Sequence, residues 1–396
     1  MNIPLIDLQA QYDSIKTEVK IAVDSVMESQ HFIMGSYVKE FEKEVGEYCG
    51  SDFAFGCASG SDALLLALMA IDLKPGDYVI TSPFTFFATA GAIARLGAIP
   101  IFIDIEADSF NLDPIKVKAF LEGKAKLSKR INPDPQKIKA IIPVHLYGQM
   151  ADMDPILELA DEFNLKVIED AAQSIGSKYK GIQAGNLSDF GCFSFFPSKN
   201  LGAYGDAGLI TVKDKELADK VNILRLHGAK PKYHHKYVGI NSRLDAIQAA
   251  ILSVKLKYLD GWSSSRKSIA DDYNHLFLKS GIASKDLSDT NAILLPNETT
   301  GTEKNGGRHI YHQYTICVKD RDGLQKWLKE RGIGTSIYYP VPLHIQECFS
   351  ELNYSPEDCP VSLKVSQQAL SLPIYPELNQ DQIEYVVSSI CDFYNT

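Results

Sequence analysis

Two residues carry reactive groups in unusual surroundings. Lys199 ends the aromatic run Phe193-Ser-Phe-Phe-Pro-Ser-Lys199, and Asp170 ends the apolar run Lys166-Val-Ile-Glu-Asp170. A lysine drawn into an aromatic segment loses hydration, which lowers its pKa and makes its amine a ready nucleophile toward an aldehyde. Taken alone, a lysine more often has an ammonium that reaches back to solvent. Asp170 alone equally caps the helix that follows it. Together they are the pair a pyridoxal cofactor needs. The amine takes the aldehyde, and the carboxylate keeps the ring nitrogen protonated so that the ring accepts electrons from a substrate carbanion.

Two further features suit the same ligand. Gly60-Ser61 opens an apolar helix and offers backbone N–H groups and a hydroxyl to a phosphate, although an unliganded helix cap has the same sequence. Phe86 follows the turn Pro83-Phe-Thr and suits either stacking on a pyridine ring or core packing. His145, His234 and His235 have no cysteine or carboxylate at ligand spacing, so no metal site is expected.

The elements that position these residues alternate. Strands are expected at 53–57, 77–81, 99–104, 138–145, 166–170, 190–196 and 208–212. Helices are expected across 14–50 (broken at His31–Gly35), at 63–71, 87–96 and 153–163, and through most of 215–260. Strands separated by helices predict a mostly parallel sheet covered on both faces, with ligands beyond the strand carboxyl ends. After residue 262 the pattern becomes that of a smaller α+β unit, with helices at 266–279, 321–331 and 379–393 and a strand over 311–318. The expected domains are 1–257, including an N-terminal arm, and 258–396. The polar stretches 123–139 and 284–308 are expected to be surface loops.

The 396 residues, 45% hydrophobic and 23% charged, suffice for a large core and about two domains. A net charge of −10 argues against nucleic acid as the main partner. Seven cysteines, none spaced as CxxC, argue against a disulfide framework. The first twenty residues lack a signal-peptide pattern, and the longest apolar run, Ala63–Ile71, is nine residues. A cytoplasmic protein with no membrane partner is expected.

The chain closely resembles the DegT/DnrJ/EryC1/StrS sugar aminotransferases. The likeness rests on Gly60-Ser-Asp-Ala-Leu64, Pro83-Phe-Thr-Phe86, Pro143-Val-His-Leu-Tyr-Gly-Gln149, Val167-Ile-Glu-Asp-Ala-Ala-Gln-Ser174, Ser194-Phe-Phe-Pro-Ser-Lys199 and Asn241-Ser-Arg-Leu-Asp245. It implies the α/β fold of type I pyridoxal-phosphate transferases, with a mostly parallel seven-stranded sheet, a small α+β domain, and a homodimer with shared active sites. Residue by residue, it implies that Lys199 carries the cofactor and later shuttles the proton, and that Asp170 pairs with the pyridine nitrogen. Gln173 would contact the ring hydroxyl side. Gly60, Ser61 and Ser194 would hold the phosphate with Asn241 of a second subunit, and Phe86 would stack on the ring.

Tyr233-His-His235 and Val238-Gly-Ile-Asn-Ser-Arg-Leu-Asp245 make the chain most similar to enzymes acting at C3 of UDP-linked keto-sugars. With L-glutamate as donor and 2-oxoglutarate as its product, the implied substrate is UDP-2-acetamido-3-keto-glucose, of use in lipid A or other surface polysaccharide synthesis. The glucuronate analogue and a dTDP-keto-sugar are the alternatives. A dehydratase on the same fold and a non-catalytic regulator stand behind them. Phe32, Arg243, His312, Tyr314, Tyr338 and His344 are the candidate substrate contacts, with His31, Tyr311 and Tyr339 beside them.

Overall fold

The computed structural model describes residues 1–125, 133–284, 292–300 and 305–395. Its larger unit begins with helices α1 (Leu8–Ser29) and α2 (Ser36–Cys49). The alternating pattern follows as β1 (Phe53–Cys57), α3 (Gly60–Ala70), β2 (Tyr78–Thr81), α4 (Ala88–Arg95), β3 (Ile99–Phe102), α5 (Pro114–Leu121), β4 (Ile138–Ile142), α6 (Met153–Glu162) and β5 (Lys166–Asp170). A small hairpin, β6 (Lys178–Tyr179) and β7 (Ile182–Gln183), precedes β8 (Phe190–Ser194), β9 (Gly208–Val212), α7 (Lys215–Leu224) and α8 (Ala246–Leu256).

Seven strands form one sheet in the order β1-β9-β8-β5-β4-β2-β3. Only β9 runs against its neighbours; every other pairing in the sheet is parallel. Side chains of successive residues leave a strand on opposite faces. In β4, Ile141 therefore joins a core with α2, α6 and α8, while Ala140 and Ile142 join a second core with α3, α4 and α7. A sheet buried on both faces needs near-continuous apolar strands, which explains runs such as Ile138-Lys-Ala-Ile-Ile142.

Helix α9 (Leu259–Ser280) bridges the two units. It gives Leu259 to the first core and Ile269, Ala270, Tyr273 and Phe277 to the core of the small unit. That unit has a four-stranded sheet, β10 (Ala283–Ser284), β11 (Ile293–Leu294), β12 (Tyr314–Val318) and β13 (Ala369–Leu372), in that order. Helices α10 (Arg321–Glu330), α11 (Pro360–Gln368) and α12 (Gln380–Asn395) complete it. Ile3 pairs with Ile333 and is buried in this second core, so the chain's first residues pack with the small unit although they precede the large one.

Within the expected surface loops, 126–132, 285–291 and 301–304 lie outside the described residues. The expected loop 284–308 is not wholly loop, because Ile293–Leu294 adds a strand edge-on to β12. Among the described residues, no helix is long and apolar enough to cross a membrane.

The two units are latched at Asp104, just beyond β3. Its buried carboxylate accepts the N–H groups of Val361 and Ser362 (2.9 Å each) and the Ser362 hydroxyl (2.7 Å), capping α11 of the small unit. Lys116 approaches the same carboxylate at 3.3 Å. Burial alone would raise the Asp104 pKa, but these three hydrogen bonds and the lysine charge bring it below the ordinary carboxylate value.

Candidate active site

The carboxyl ends of the parallel strands converge on one edge of the large sheet. Asp170 ends β5 and lies opposite Cys192 of the adjacent β8. Beyond β8 the chain turns outward through Phe195, whose ring packs edge-on against Phe41 at 5.5 Å. The Lys199 N–H then bonds to Phe196 O (2.8 Å), and Ala203 N–H returns to Phe195 O (2.8 Å). Lys199 therefore sits on a closed loop anchored in the core rather than on a free surface turn.

Burial lowers the Lys199 pKa to about 8, against the opposing pull of the Asp170 charge. Among the described residues, none hydrogen-bonds its amine. Asp170 is raised above the ordinary carboxylate value by burial, held back by the Thr89 hydroxyl, the Ala172 N–H and Lys199. Thr89 Oγ1 donates to Oδ2 at 2.7 Å, and Ala172 N–H reaches Oδ1 at 3.2 Å. With one donor on each oxygen, the carboxylate keeps acceptor capacity for a cationic N–H.

Ser59 caps α3 by accepting the Asp62 N–H. The N–H groups of Gly60 and Ser61 have no partner among the described residues. Gly60 lies so close to β8 that a Cβ would stand 2.7 Å from Ser194 Cβ. Only glycine lets the helix N-terminus and the Ser194 hydroxyl share one small space.

Gln173 is fixed at both ends of its amide. Its Oε1 accepts the Tyr147 N–H (2.8 Å) and its Nε2 donates to the Tyr339 hydroxyl (3.0 Å). The Tyr339 ring lies 6.2 Å from that of Phe86, which is 57% exposed and so has an open face. Burial raises the Tyr339 phenol well above its ordinary value, the Gln173 bond lowers it, and the Asp170 charge raises it again. Tyr338 accepts a hydrogen bond from the Tyr147 hydroxyl at its backbone oxygen, and its half-buried ring meets Tyr339 edge-on at 5.8 Å.

Several expected contacts lie elsewhere. Tyr314 is fully buried in the small unit, stacked on Tyr273 at 4.9 Å and bonded to Asn274 Oδ1 (2.7 Å), because β12 is the central partner of that core. These are the contacts of a packing residue. His344 is likewise buried, edge-on to Tyr354 at 6.0 Å, with neither ring nitrogen bonded to a described residue. Burial keeps it below its ordinary pKa.

His312 is buried against Asn200 (2.8 Å). Tyr311 is buried too, its hydroxyl donating to Glu298 (2.8 Å). Phe32 packs partly buried on the first core, while His31 and Asn241 are exposed and Arg243 is half-buried. His145 is a structural residue. Ala151 N–H donates to its Nδ1 (3.1 Å), so Nε2 carries the proton toward Glu169 (3.0 Å). Among the described residues, no three His, Cys, Asp or Glu side chains group as metal ligands.

A family model described as the DegT/DnrJ/EryC1/StrS aminotransferase family matches residues 13–391. The chain belongs to this family. It is 48% identical over 394 residues to a pleiotropic regulatory protein of Geobacillus stearothermophilus, covering 100% of this chain and 99% of that protein. It is 40% identical to the UDP-N-acetyl-3-dehydro-alpha-D-glucosamine 3-aminotransferase of Acidithiobacillus ferrooxidans, covering 98% and 97%. The crystal structure of S. venezuelae DesV in complex with a ketimine intermediate superposes with a TM-score of 0.89 at 35% identity, covering 100% of this chain and 99% of that one. The α/β architecture expected from the sequence is the one this family has.

Sequence reasoning missed Thr89, Asn200 and the partner of Gln173. Thr89 sits one helical turn along from Phe86, but nothing in a threonine's local sequence marks a bond to a carboxylate 81 positions away.

Proposed function

We propose that this protein is a pyridoxal-phosphate-dependent aminotransferase that moves an amino group from L-glutamate to C3 of UDP-2-acetamido-3-keto-glucose. The observation that carries the reading is the pairing of a buried carboxylate at the end of β5 with an amine, lowered to about 8, on the loop that follows the adjacent β8. The site fits the cofactor in three independent places. The free N–H groups of Gly60 and Ser61, with the Ser194 hydroxyl, suit its phosphate. The spare acceptor capacity of Asp170 suits its ring nitrogen. The open face of Phe86, opposite Tyr339 and Gln173, suits its ring and ring hydroxyl.

Once bound, the cofactor supplies an electron sink for the carbon that loses its proton. The chain's own residues do the rest. Asp170 holds the ring nitrogen protonated, and Thr89 holds Asp170 ionised. The Lys199 amine, when free, carries the proton between the substrate carbon and the acceptor carbon. Phe32, Arg243 and Tyr338 are the candidate contacts for the sugar–nucleotide, and Arg243 suits a diphosphate or carboxylate.

Asn241 is exposed, as are large parts of Phe86, Phe87, Phe196 and Tyr204. Exposed aromatic residues of this kind suit a surface covered by a second copy. The working unit is accordingly a homodimer whose partner subunit supplies an Asn241 to the phosphate. The 40% identity to a UDP-keto-sugar 3-aminotransferase favours the neutral hexose over the glucuronate or dTDP-linked alternatives, and surface polysaccharide or lipid A assembly as its use. The relative named as a regulatory protein supports a second reading, a non-catalytic regulator. The complete Lys199–Asp170–Thr89 set favours catalysis.

The purified protein is expected to be yellow and to bleach when glutamate is added. Product analysis with both UDP-linked 3-keto sugars offered together then reports the sugar. Lys199→Ala should abolish turnover; a Lys199→Ala protein of full activity would refute the central assignment, and a protein that never bleaches would remove the glutamate-donor reading.

A further inference from the structure

His312 makes its contact with Asn200, the residue after Lys199. Asn200 is buried and bonded at both ends of its amide. Nδ2 donates to Ile310 O (3.5 Å), and Oδ1 faces His312 Nδ1 at 2.8 Å. A carbonyl can only accept, so the amide's nitrogen must face Ile310 and its oxygen must face the histidine. The proton therefore resides on His312 Nδ1. The remaining nitrogen, Nε2, meets only the Gln313 amide, at 3.5 Å among the described residues.

Burial first, then the positive charges of Lys199 and Arg266, keep the His312 pKa well below its ordinary value, so the ring is neutral. The segment that carries it is itself fixed to the large unit. Ile310 N–H donates to Gly148 O (3.1 Å) and Gln313 N–H to Tyr147 O (3.3 Å). Tyr147 N–H in turn holds Gln173. On the other side of the lysine loop, the Lys255 ammonium donates to Gly202 O (2.5 Å), and a Cβ on Gly202 would stand 2.3 Å from Pro197 O. The loop from 196 to 204 is thus gripped at two points, one of them through Asn200.

We propose that His312 is a positioning residue: its Nδ1–H fixes the Asn200 amide and, through it, the direction in which Lys199 presents its amine. This rests on the assignment of Lys199 as the reactive amine. The entry to the small unit's central strand is thereby coupled to the reactive lysine, and His312 is removed from the set of substrate contacts.

The test uses the holoenzyme and two substitutions that differ only in where a donor stands. In His312→Asn, the amide nitrogen superposes on Nδ1 and keeps the bond to Asn200. In His312→Gln, the amide nitrogen falls near Nε2 and the bond is lost. Leaving the buried Asn200 oxygen unpaired should lower kcat by about tenfold to a hundredfold in His312→Gln, with a smaller change in KM for glutamate. It should also move the pH midpoint of the visible absorption band, which reports the lysine–cofactor linkage. His312→Asn should retain the wild-type midpoint and most of kcat. Asn200→Ala should reproduce the His312→Gln deficit, and adding His312→Gln to it should cost little more.

Equal behaviour of the Asn and Gln variants in midpoint and kcat would overturn the proposal. Fully additive losses with Asn200→Ala would do the same, and the cycle still decides if one histidine variant fails to fold. Full activity of Lys199→Ala would instead remove the underlying assignment, so the two failures are distinguishable.

Discussion

Replacing Thr89 by valine tests the electrostatic core of the site with almost no change in shape. Thr89 is fully buried, and its hydroxyl donates to Asp170 Oδ2 at 2.7 Å. A hydrogen bond to an ionised group contributes about 1.5–3 kcal/mol. Because one pKa unit corresponds to about 1.4 kcal/mol, losing a bond that favours the ionised form should raise the Asp170 pKa by roughly one to two units. Burial has already raised it, and Thr89 is the leading influence holding it back. Asp170 must be ionised to hold a protonated ring nitrogen, so activity falls as pH drops through its pKa. The acid limb of the kcat/KM profile in Thr89→Val should therefore move to higher pH by that amount, while Thr89→Ser, which keeps a hydroxyl, should track the wild type. The profile of kcat/KM against pH, with cofactor affinity followed by absorbance, measures both. A Thr89→Val acid limb that coincides with the wild type would refute the argument that this hydroxyl tunes Asp170.

Two further outcomes follow from distances in the structure. Gly60→Ala places a Cβ 2.7 Å from Ser194 Cβ, which must shift either β8 or the α3 N-terminus. Overpacking of this kind costs about 1–3 kcal/mol in stability, and it should weaken binding of inorganic phosphate and of the cofactor more than it lowers the melting temperature. Asp104→Asn removes the charge from the inter-unit latch and turns one acceptor into a donor facing N–H groups. It should destabilise the fold by about 2–3 kcal/mol in urea titrations at neutral pH. The folded Asp104 pKa is depressed, so its contribution is fully present above the unfolded value of about 3.9 and is lost as pH falls through the folded value. The Asp104→Asn deficit should therefore shrink in acid.

The legible part of this protein is the part written in local pattern. Apolar runs of four or five residues separated by helical periodicity give the buried sheet, because a strand covered on both faces must be apolar throughout. Asp170 and Lys199 stand out because a carboxylate and an amine at the ends of such runs are costly unless something uses them. Gly60 was visible as the first residue of an apolar helix, with its requirement for a missing Cβ hidden until Ser194 came beside it.

Other residues were decided only by the packing of distant segments. Tyr314 and His344 have site-like residue types and are buried, because β12 is the centre of the small unit and the 343–345 turn packs behind β3. The 284–308 stretch reads as loop by composition, yet Ile293–Leu294 pairs with β12. A two-residue strand has no period to detect. Thr89 meets Asp170 and His312 meets Asn200 through bonds spanning 81 and 112 positions. By itself the sequence determined the layered architecture and singled out Lys199 and Asp170 as the candidate pair, since burial and hydration act residue by residue. The tertiary structure alone decided which ordinary hydroxyl meets Asp170 and which imidazole meets Asn200 beside Lys199, since a hydrogen bond depends on where two groups meet and not on what surrounds either of them along the chain.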